Sequence, residues 1–188
     1  MPLNGQTVLG EVLSRCKRIP GVDLVVCTVP TSPENDLVAE LASTYCRVVI
    51  GPEQDVLGRY LLAAKVVDAD IIMRITADCP LISPELCGQV LKARTKANAD
   101  YASNIEPRTF PQGFDCEVFT FETLKKADEQ SEEREHVTTW MRQSKEVKRV
   151  NVKSPWPLEG RLTLDTWEDY IVICAAFGHE PYQRLRAA

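Results

Sequence analysis

The sequence of 188 residues has no apolar run of membrane-spanning length, and its opening Met1-Pro2-Leu3-Asn4-Gly5-Gln6 lacks a basic stretch leading into an apolar core. These absences predict a cytoplasmic chain without membrane insertion. Histidine is scarce: with only His136 and His179, an imidazole-based metal centre is not expected, and each reads by default as a packed or surface residue. Seven cysteines without a single C-x-x-C pair fit neither a disulfide framework nor a zinc knuckle. Cys27, Cys46 and Cys174 lie in apolar runs and read as small buried hydrophobes in a reducing compartment. Cys79 reads as the exposed one, but the neighbouring Asp78 disfavours its thiolate, so no nucleophile is assigned there. No G-x-G-x-x-G, G-x-x-x-x-G-K-[ST] or G-x-S-x-G occurs, which removes the usual dinucleotide, P-loop and hydrolase-elbow signals. Basic charge is short too. A formal net charge of -5 argues against a nucleic-acid binder, while leaving room for a small anion held by local arginines.

What is present fits a globular chain, 44% hydrophobic and 26% charged, expected to form a single domain over 1–188. Val8, Leu9, Val12 and Leu13 recur at helical spacing and predict a helix over 6–18, stopped by Pro20-Gly21. A strand follows over 23–29. Ser32-Pro33-Glu34 then opens a helix to about Thr44 with Leu37, Val38 and Leu41 inward. After a short strand over 47–50, a helix with Val56, Leu57, Tyr60, Leu61 and Ala64 on one face runs to about Val67. Ile71-Ile72-Met73-Arg74-Ile75 is mostly large and apolar, as in a strand covered on both faces. Asp78 and Pro80 end it, and Ser83 and Pro84 cap and start a helix to about Lys96. Strands are expected over 100–104 and, with period two, over 116–121; helices over 122–129 and 131–143; an edge strand over 147–152; and a last helix after Asp165 carrying Tyr170, Ile173, Cys174 and Phe177. Strands alternating with helices imply right-handed crossovers and a mainly parallel sheet.

Ligands gather at the carboxyl ends of strands in such sheets, which makes Asp78 the first candidate; a turn-closing role before Pro80 is the competing reading. Asp165 follows Arg161-Leu162-Thr163-Leu164 in the same manner. Two carboxylates at one sheet edge suit Mg²⁺, which takes one or two carboxylates plus substrate phosphates and offsets triphosphate charge during in-line attack. Against this, Asp165 or Thr166 is a good N-cap, with Glu168 completing a capping box. Arg59, Arg74, Arg108 and Arg134 lie in or beside predicted loop ends and suit phosphate or sugar carboxylate, although a lone arginine is more often a solvated charge. Arg74, in an apolar strand, must find an anion if buried. Glu135-His136 falls in an expected helical stretch. Asp68-Ala69-Asp70 has the D-x-D form but precedes its strand, so it reads as a helix-to-strand turn.

Six segments in order, Gly51 to Tyr60, Arg74 to Leu81, Ser103-Asn104, Phe110 to Phe119, Arg134 to Thr138 and Leu164 to Asp169, resemble the cytidylyltransferase-like family of spore coat polysaccharide biosynthesis proteins, SpsF type, relatives of the CMP-sialic acid and CMP-KDO synthetases. The resemblance implies an α/β fold, a three-layer α/β/α sandwich of nucleotide-diphospho-sugar transferase type. It also implies transfer of a nucleotidyl group from a CTP-like donor to a sugar, with Mg²⁺. By matching position, Asp78 and Asp165 would hold the metal, Arg59 and Arg74 would face the nucleotide and its phosphates, and Asn104, Asp115, Glu117 and His136 would line the sugar side. Asp78 and Arg74 would carry the catalysis.

Members of that family begin with a strand and a phosphate-binding loop resembling A-R-x-G-S-x-R-L-P-G-K, whereas Pro2-Leu3-Asn4-Gly5-Gln6-Thr7-Val8-Leu9 matches the segment just after it. The resemblance therefore implies a missing interior strand, open hydrogen-bonding edges, a true start upstream of Met1 and little activity in the chain as given. A non-catalytic nucleotide- or sugar-binding remnant, or such a partner in polysaccharide assembly, stays open, as do a glycosyltransferase using a nucleotide-sugar and a homodimer.

Overall fold

Helices begin where the sequence supplies a capping oxygen. The computed structural model describes residues 1–157 and 159–178; His179 lies outside the described residues. Strands β1 (Pro2–Leu3) and β2 (Gln6–Thr7) lead into α1 (Val8–Cys16), whose N-cap Thr7 accepts from the Gly10 amide. β3 (Val26–Pro30), a 3-10 turn (Pro33–Asn35), α2 (Asp36–Ser43), β4 (Arg47–Gly51) and α3 (Val56–Val66) follow, with Asp55 capping α3 through the Gly58 amide. Then come β5 (Ile71–Arg74) and α4 (Pro84–Ala97), capped by Ser83 through the Leu86 amide and closed by Asn98 in the left-handed region. The remainder is β6 (Tyr101–Ser103), β7 (Glu117–Thr120), α5 (Phe121–Gln130), α6 (Thr139–Gln143), β8 (Arg149–Asn151) and α7 (Trp167–Ala176).

The pairings are mixed rather than mainly parallel. β3 and β4 run parallel as a two-stranded unit, while the four-stranded sheet has order β5-β7-β6-β8, antiparallel at β5-β7 and β7-β6 and parallel at β6-β8. Side-chain alternation along these strands builds one core on each face. Ala102 and Val118 point to the face covered by α1 and α4, joining Val12, Cys16, Cys87 and Val90. Tyr101 and Phe119 point to the opposite face, joining Leu57, Leu61, Leu124, Ala127 and Met141. Helices on both faces make three layers. A third cluster, Leu3, Tyr170, Ile173 and Cys174, docks α7 onto the N-terminal segment, and the Tyr170 hydroxyl donates to the Pro2 carbonyl. No described helix is long and apolar enough to cross a membrane.

Several expectations are corrected. Leu37 and Val38 face outward, 73% and 40% exposed. After the 3-10 turn, α2 instead turns its small Ala42, with Ala39 and Leu41 half-buried, toward the β3-β4 unit. Ser32 makes no capping bond although Ser83, in the same Ser-Pro-Glu context, does. The 131–143 stretch is helical only over α6; the residues around His136 form turns, pinned by the Leu57 amide donating to the Arg134 carbonyl at 2.9 Å. Cys79 is buried, not exposed, and Cys27 and Cys46 are only half-buried; all seven cysteines are free thiols.

Candidate active site

The loop after β5 is held by its own turns. The Cys79 amide donates to the Thr76 carbonyl at 3.2 Å and the Ile82 amide to the Cys79 carbonyl at 3.1 Å, which leaves the Asp78 side chain half-exposed at the rim. Burial, reinforced by Asp78 beside it, pushes the Cys79 thiol up to about 12, so it stays protonated and is no nucleophile.

The segment carrying Asp165 is laced onto this loop. The Gln112 amide donates to the Gly160 carbonyl at 3.0 Å, the Leu162 amide to the Gln112 carbonyl at 2.8 Å, and the Leu164 amide to the Asp78 carbonyl at 2.8 Å. Gly113 permits this approach: its φ is +99°, and a Cβ there would meet the Leu162 carbonyl carbon and oxygen at 2.6 Å. Asp78 and Asp165 are thus brought to one rim across a backbone hydrogen bond.

Asp165 is free of the helix cap that competed for it. Thr166 caps α7, and its capping-box partner is Asp169, not Glu168. Arg161 instead binds Asp165 at 2.5 Å and Asp169 at 3.1 Å. Donation from the Asp165 amide, then from Arg161, holds the Asp169 carboxyl down to about 2. Sequence reasoning missed Arg161 and Asp169 in these roles; the only signal was the spacing of Arg161 from Asp165 and from the helix start.

Two arginines stand further in. Arg59, 8% exposed, donates from Nη1 to the Pro52 carbonyl at 2.6 Å and the Glu53 carbonyl at 3.2 Å. Arg74 finds its anion in Glu117 at 2.7 Å. Glu117, 2% exposed, also accepts from the Tyr101 hydroxyl at 2.6 Å and the Thr138 hydroxyl at 2.6 Å. Burial, then the Glu117 charge, pushes the Tyr101 hydroxyl up, which keeps it a donor. The sequence assigns Tyr101 and Thr138 no role at the site, because nothing local links them to Glu117. The Nε atoms of Arg59 and Arg74, like that of Arg142, are buried with no hydrogen-bond partner among the described residues, and such unsatisfied donors suit an anion.

The remaining candidates are spread around this centre. Asn104, 1% exposed, donates to the Phe114 carbonyl at 2.7 Å and accepts from the Cys116 amide at 2.9 Å, closing the neck of the 105–115 loop. Asp115 takes a two-pronged contact from Arg108 at 2.5 and 2.8 Å. The His136 side chain is 64% exposed and 3.8 Å from Glu133. Arg134 is a structural brace, tying the α3 cap Asp55 to Asp128.

The mixed sheet between helical layers is an α/β nucleotidyltransferase-like fold. A family model described as cytidylyltransferase matches residues 1–159, and the chain belongs to the cytidylyltransferase family. It is 33% identical over 178 residues to an uncharacterized protein of Methanocaldococcus jannaschii, covering 90% of this chain and 72% of that one. It is 29% identical over 163 residues to the spore coat polysaccharide biosynthesis protein SpsF of Bacillus subtilis, covering 82% and 67% respectively. Among solved structures, a cytidylyltransferase from Leptospira borgpetersenii superposes with a TM-score of 0.89 at 30% identity, over 95% of this chain and 78% of that one. A Mycobacterium tuberculosis protein in complex with manganese shares the fold, with a TM-score of 0.66 at 17% identity over 94% and 90%.

Proposed function

We propose that the chain transfers a cytidylyl group from CTP to a sugar destined for surface polysaccharide. A sugar hydroxyl attacks the α-phosphorus, the bond from that phosphorus to the β-phosphate bridging oxygen breaks, pyrophosphate leaves, and the hydroxyl proton passes to solvent. The observation that carries this reading is the hydrogen bond from the Leu164 amide to the Asp78 carbonyl, which joins the segments of two carboxylates at one rim; the buried Arg59 and Arg74 Nε donors, without a partner among the described residues, support it. Arg59 and Arg74 orient the phosphates. Asp115 and His136, with accessible side chains, meet the sugar; Asn104 shapes the 105–115 loop from behind, and Glu117 acts through Arg74.

Asp78 and Asp165 are assigned to Mg²⁺. The donor chemistry fits: both are hard oxygen ligands, Asp165 is 53% exposed at its side chain, and a Mg²⁺ site of this type needs only one or two carboxylates beside phosphate. No larger ligand cluster of three or more His, Cys, Asp or Glu is present among the described residues. The ion would supply charge neutralisation at the phosphates. The manganese complex of the tuberculosis protein of the same fold and the cytidylyltransferase activity for which the Leptospira protein is named support this reading, as the SpsF relative supports the polysaccharide setting.

The test is pyrophosphate release from CTP and Mg²⁺ with a panel of sugars, together with calorimetric CTP titration. Sugar-dependent pyrophosphate, with CTP binding lost in Asp78→Ala, is expected. Nucleoside diphosphate released from a nucleotide-sugar would instead indicate a glycosyltransferase. Metal-independent sugar binding indifferent to Asp78→Ala would indicate a non-catalytic module.

A further inference from the structure

In the four-stranded sheet β5 is antiparallel to β7 and β7 to β6, while β8 is parallel to β6, so the carboxyl ends of β5, β6 and β8 share one edge. The segment after β8 crosses that edge. The Val152 amide donates to the Ser103 carbonyl at 2.8 Å, and the Ser154 amide to the Thr109 hydroxyl at 2.9 Å. The chain comes back to the 105–115 loop where Gly160 and Leu162 meet Gln112, and it reaches Asp78 through Leu164. This segment therefore straps the rim in the order β8, β6, β5.

Between its feet on Thr109 and Gln112 the strap carries Trp156, 80% exposed. A single exposed apolar side chain is ordinary on a protein surface. This one is held in place. The Ser154 hydroxyl accepts from the Trp156 amide at 3.1 Å and donates to the Trp156 carbonyl at 2.7 Å, so one side chain satisfies both backbone groups of the tryptophan. Pro155 and Pro157 fix their own φ and restrict Ser154 and Trp156 before them. The footing is fixed too. Asn151 accepts from the Glu106 amide at 3.2 Å and donates to the Pro107 carbonyl at 3.0 Å, while Asn104 closes the neck of the same loop. An indole left in water forfeits the large apolar burial available to it. Ordering its backbone in advance lowers the cost of binding something against it.

The position selects the occupant. Arg59 and Arg74 stand beside β4 and β5, and β8 lies three strand positions from β5, about 14 Å. Phosphates oriented by those arginines are thus at the far end of the rim from Trp156, with the acceptor between. From Gly160 to Leu164, bonded to Asp78, is four residue steps, at most about 13 Å of extended chain. Two arginines on this side are already engaged, Arg108 with Asp115 and Arg161 with Asp165 and Asp169. An apolar ring beside hydrogen-bonding carboxylates matches a cyclic sugar, which has C–H groups on its faces and hydroxyls around its edge. An open-chain polyol phosphate offers no face to the indole and meets guanidinium groups that are already paired.

We infer that Trp156 is the platform on which the acceptor is recognised. A pyranose ring lays one C–H face on the indole and turns its hydroxyl edge toward Asp115, with the attacking hydroxyl directed along the strap toward Asp78. This rests on the cytidylyl-transfer reading for the chemistry at Asp78, and it fixes the acceptor class as a cyclic sugar rather than a polyol phosphate.

The test is saturation-transfer NMR on the full chain with glucose, galactose, mannose and N-acetylglucosamine, against glycerol 3-phosphate and ribitol 5-phosphate, alongside calorimetric CTP titration. Saturation is expected at the hydrogens of one ring face of at least one pyranose. Trp156→Ala weakens binding of that sugar about tenfold or more, and Trp156→Phe restores most of it. Ser154→Ala, which frees the backbone of the platform, weakens it about threefold. CTP affinity is unchanged in all three variants. The inference is overturned if no pyranose binds, if Trp156→Ala leaves sugar affinity unchanged or lowers CTP affinity equally, or if a polyol phosphate binds as tightly as the best pyranose. Halving of the mass in Trp156→Ala would also overturn it, marking the indole as a contact between two copies. Sugar binding through Trp156 without pyrophosphate release would defeat the transfer reading and leave the platform in place. Pyrophosphate release from a sugar whose KM is unchanged in Trp156→Ala would do the reverse.

Discussion

Glu117 accepts from three side chains, Arg74, Tyr101 and Thr138, while 2% exposed. Deleting its carboxylate strands a largely buried guanidinium and two hydroxyls at once. Glu117→Ala should therefore cost about 3 kcal/mol, the scale of breaking a buried pair from one side, and Glu117→Gln, which keeps one acceptor for the two hydroxyls but not the charge facing Arg74, should recover only about 1 kcal/mol of that. Urea denaturation separates the two. Asp78→Asn should behave in the opposite way, costing less than about 0.5 kcal/mol because the residue is only half-exposed with one long contact from Cys79 at 3.5 Å. In the pyrophosphate assay it should lose about 100-fold, the scale of removing one electrostatic contributor to the transition state. Asp169 supplies a pH test. Its carboxyl is held at about 2 in the folded chain, against about 3.9 unfolded, so its contribution is full above pH 4 and disappears as pH falls from about 4 to 2. Acid unfolding of Asp169→Asn should be correspondingly flatter in that window.

At the scale of elements, identical sequence does unequal things. Ser32-Pro33-Glu34 and Ser83-Pro84-Glu85 promise the same cap, yet only Ser83 receives a backbone amide, from Leu86 at 3.2 Å; the first copy runs into a 3-10 turn before α2. Ser83→Ala should cost about 1 kcal/mol, and Ser32→Ala less than about 0.5 kcal/mol. Helix α7 offers the same separation where function is at stake. Thr166 and Asp169 perform the capping and Asp165 does not. Thr166→Ala should lower stability by about 1 kcal/mol without abolishing Mg²⁺-dependent CTP binding, while Asp165→Asn should abolish that binding with little loss of stability. If Asp165→Asn lowered stability as much and left binding intact, Asp165 would be a structural residue.

For the whole molecule, the sequence was most legible where neighbours in the chain are neighbours in space. The alternation from α1 to α4 follows from apolar period, capping oxygens and Gly or Pro stops, and it correctly places Asp78 just beyond β5. Legibility faded in the second half. The order β5-β7-β6-β8 inserts β7 between strands that precede it, a pairing chosen by which faces of Tyr101, Val118 and Phe119 can be buried rather than by any local pattern. The same holds for the site. That Asp78 and Asp165 share a rim depends on one backbone hydrogen bond from Leu164 and on the room left by Gly113. The turns around His136 depend on Leu57 and Arg134, so helical period alone misread them. One consequence concerns cooperativity. Among the described residues β3 and β4 form a two-stranded ladder without a hydrogen bond to the larger sheet, and two strands alone are marginal in water. β6 and the first three residues of β7, by contrast, are fully buried between both cores. Native-state hydrogen exchange should therefore show β3 and β4 opening at clearly lower free energy than β6 and β7. Uniform protection across all four strands would mean that the packing of α1, α2 and α3 alone couples the two sheets into one cooperative unit.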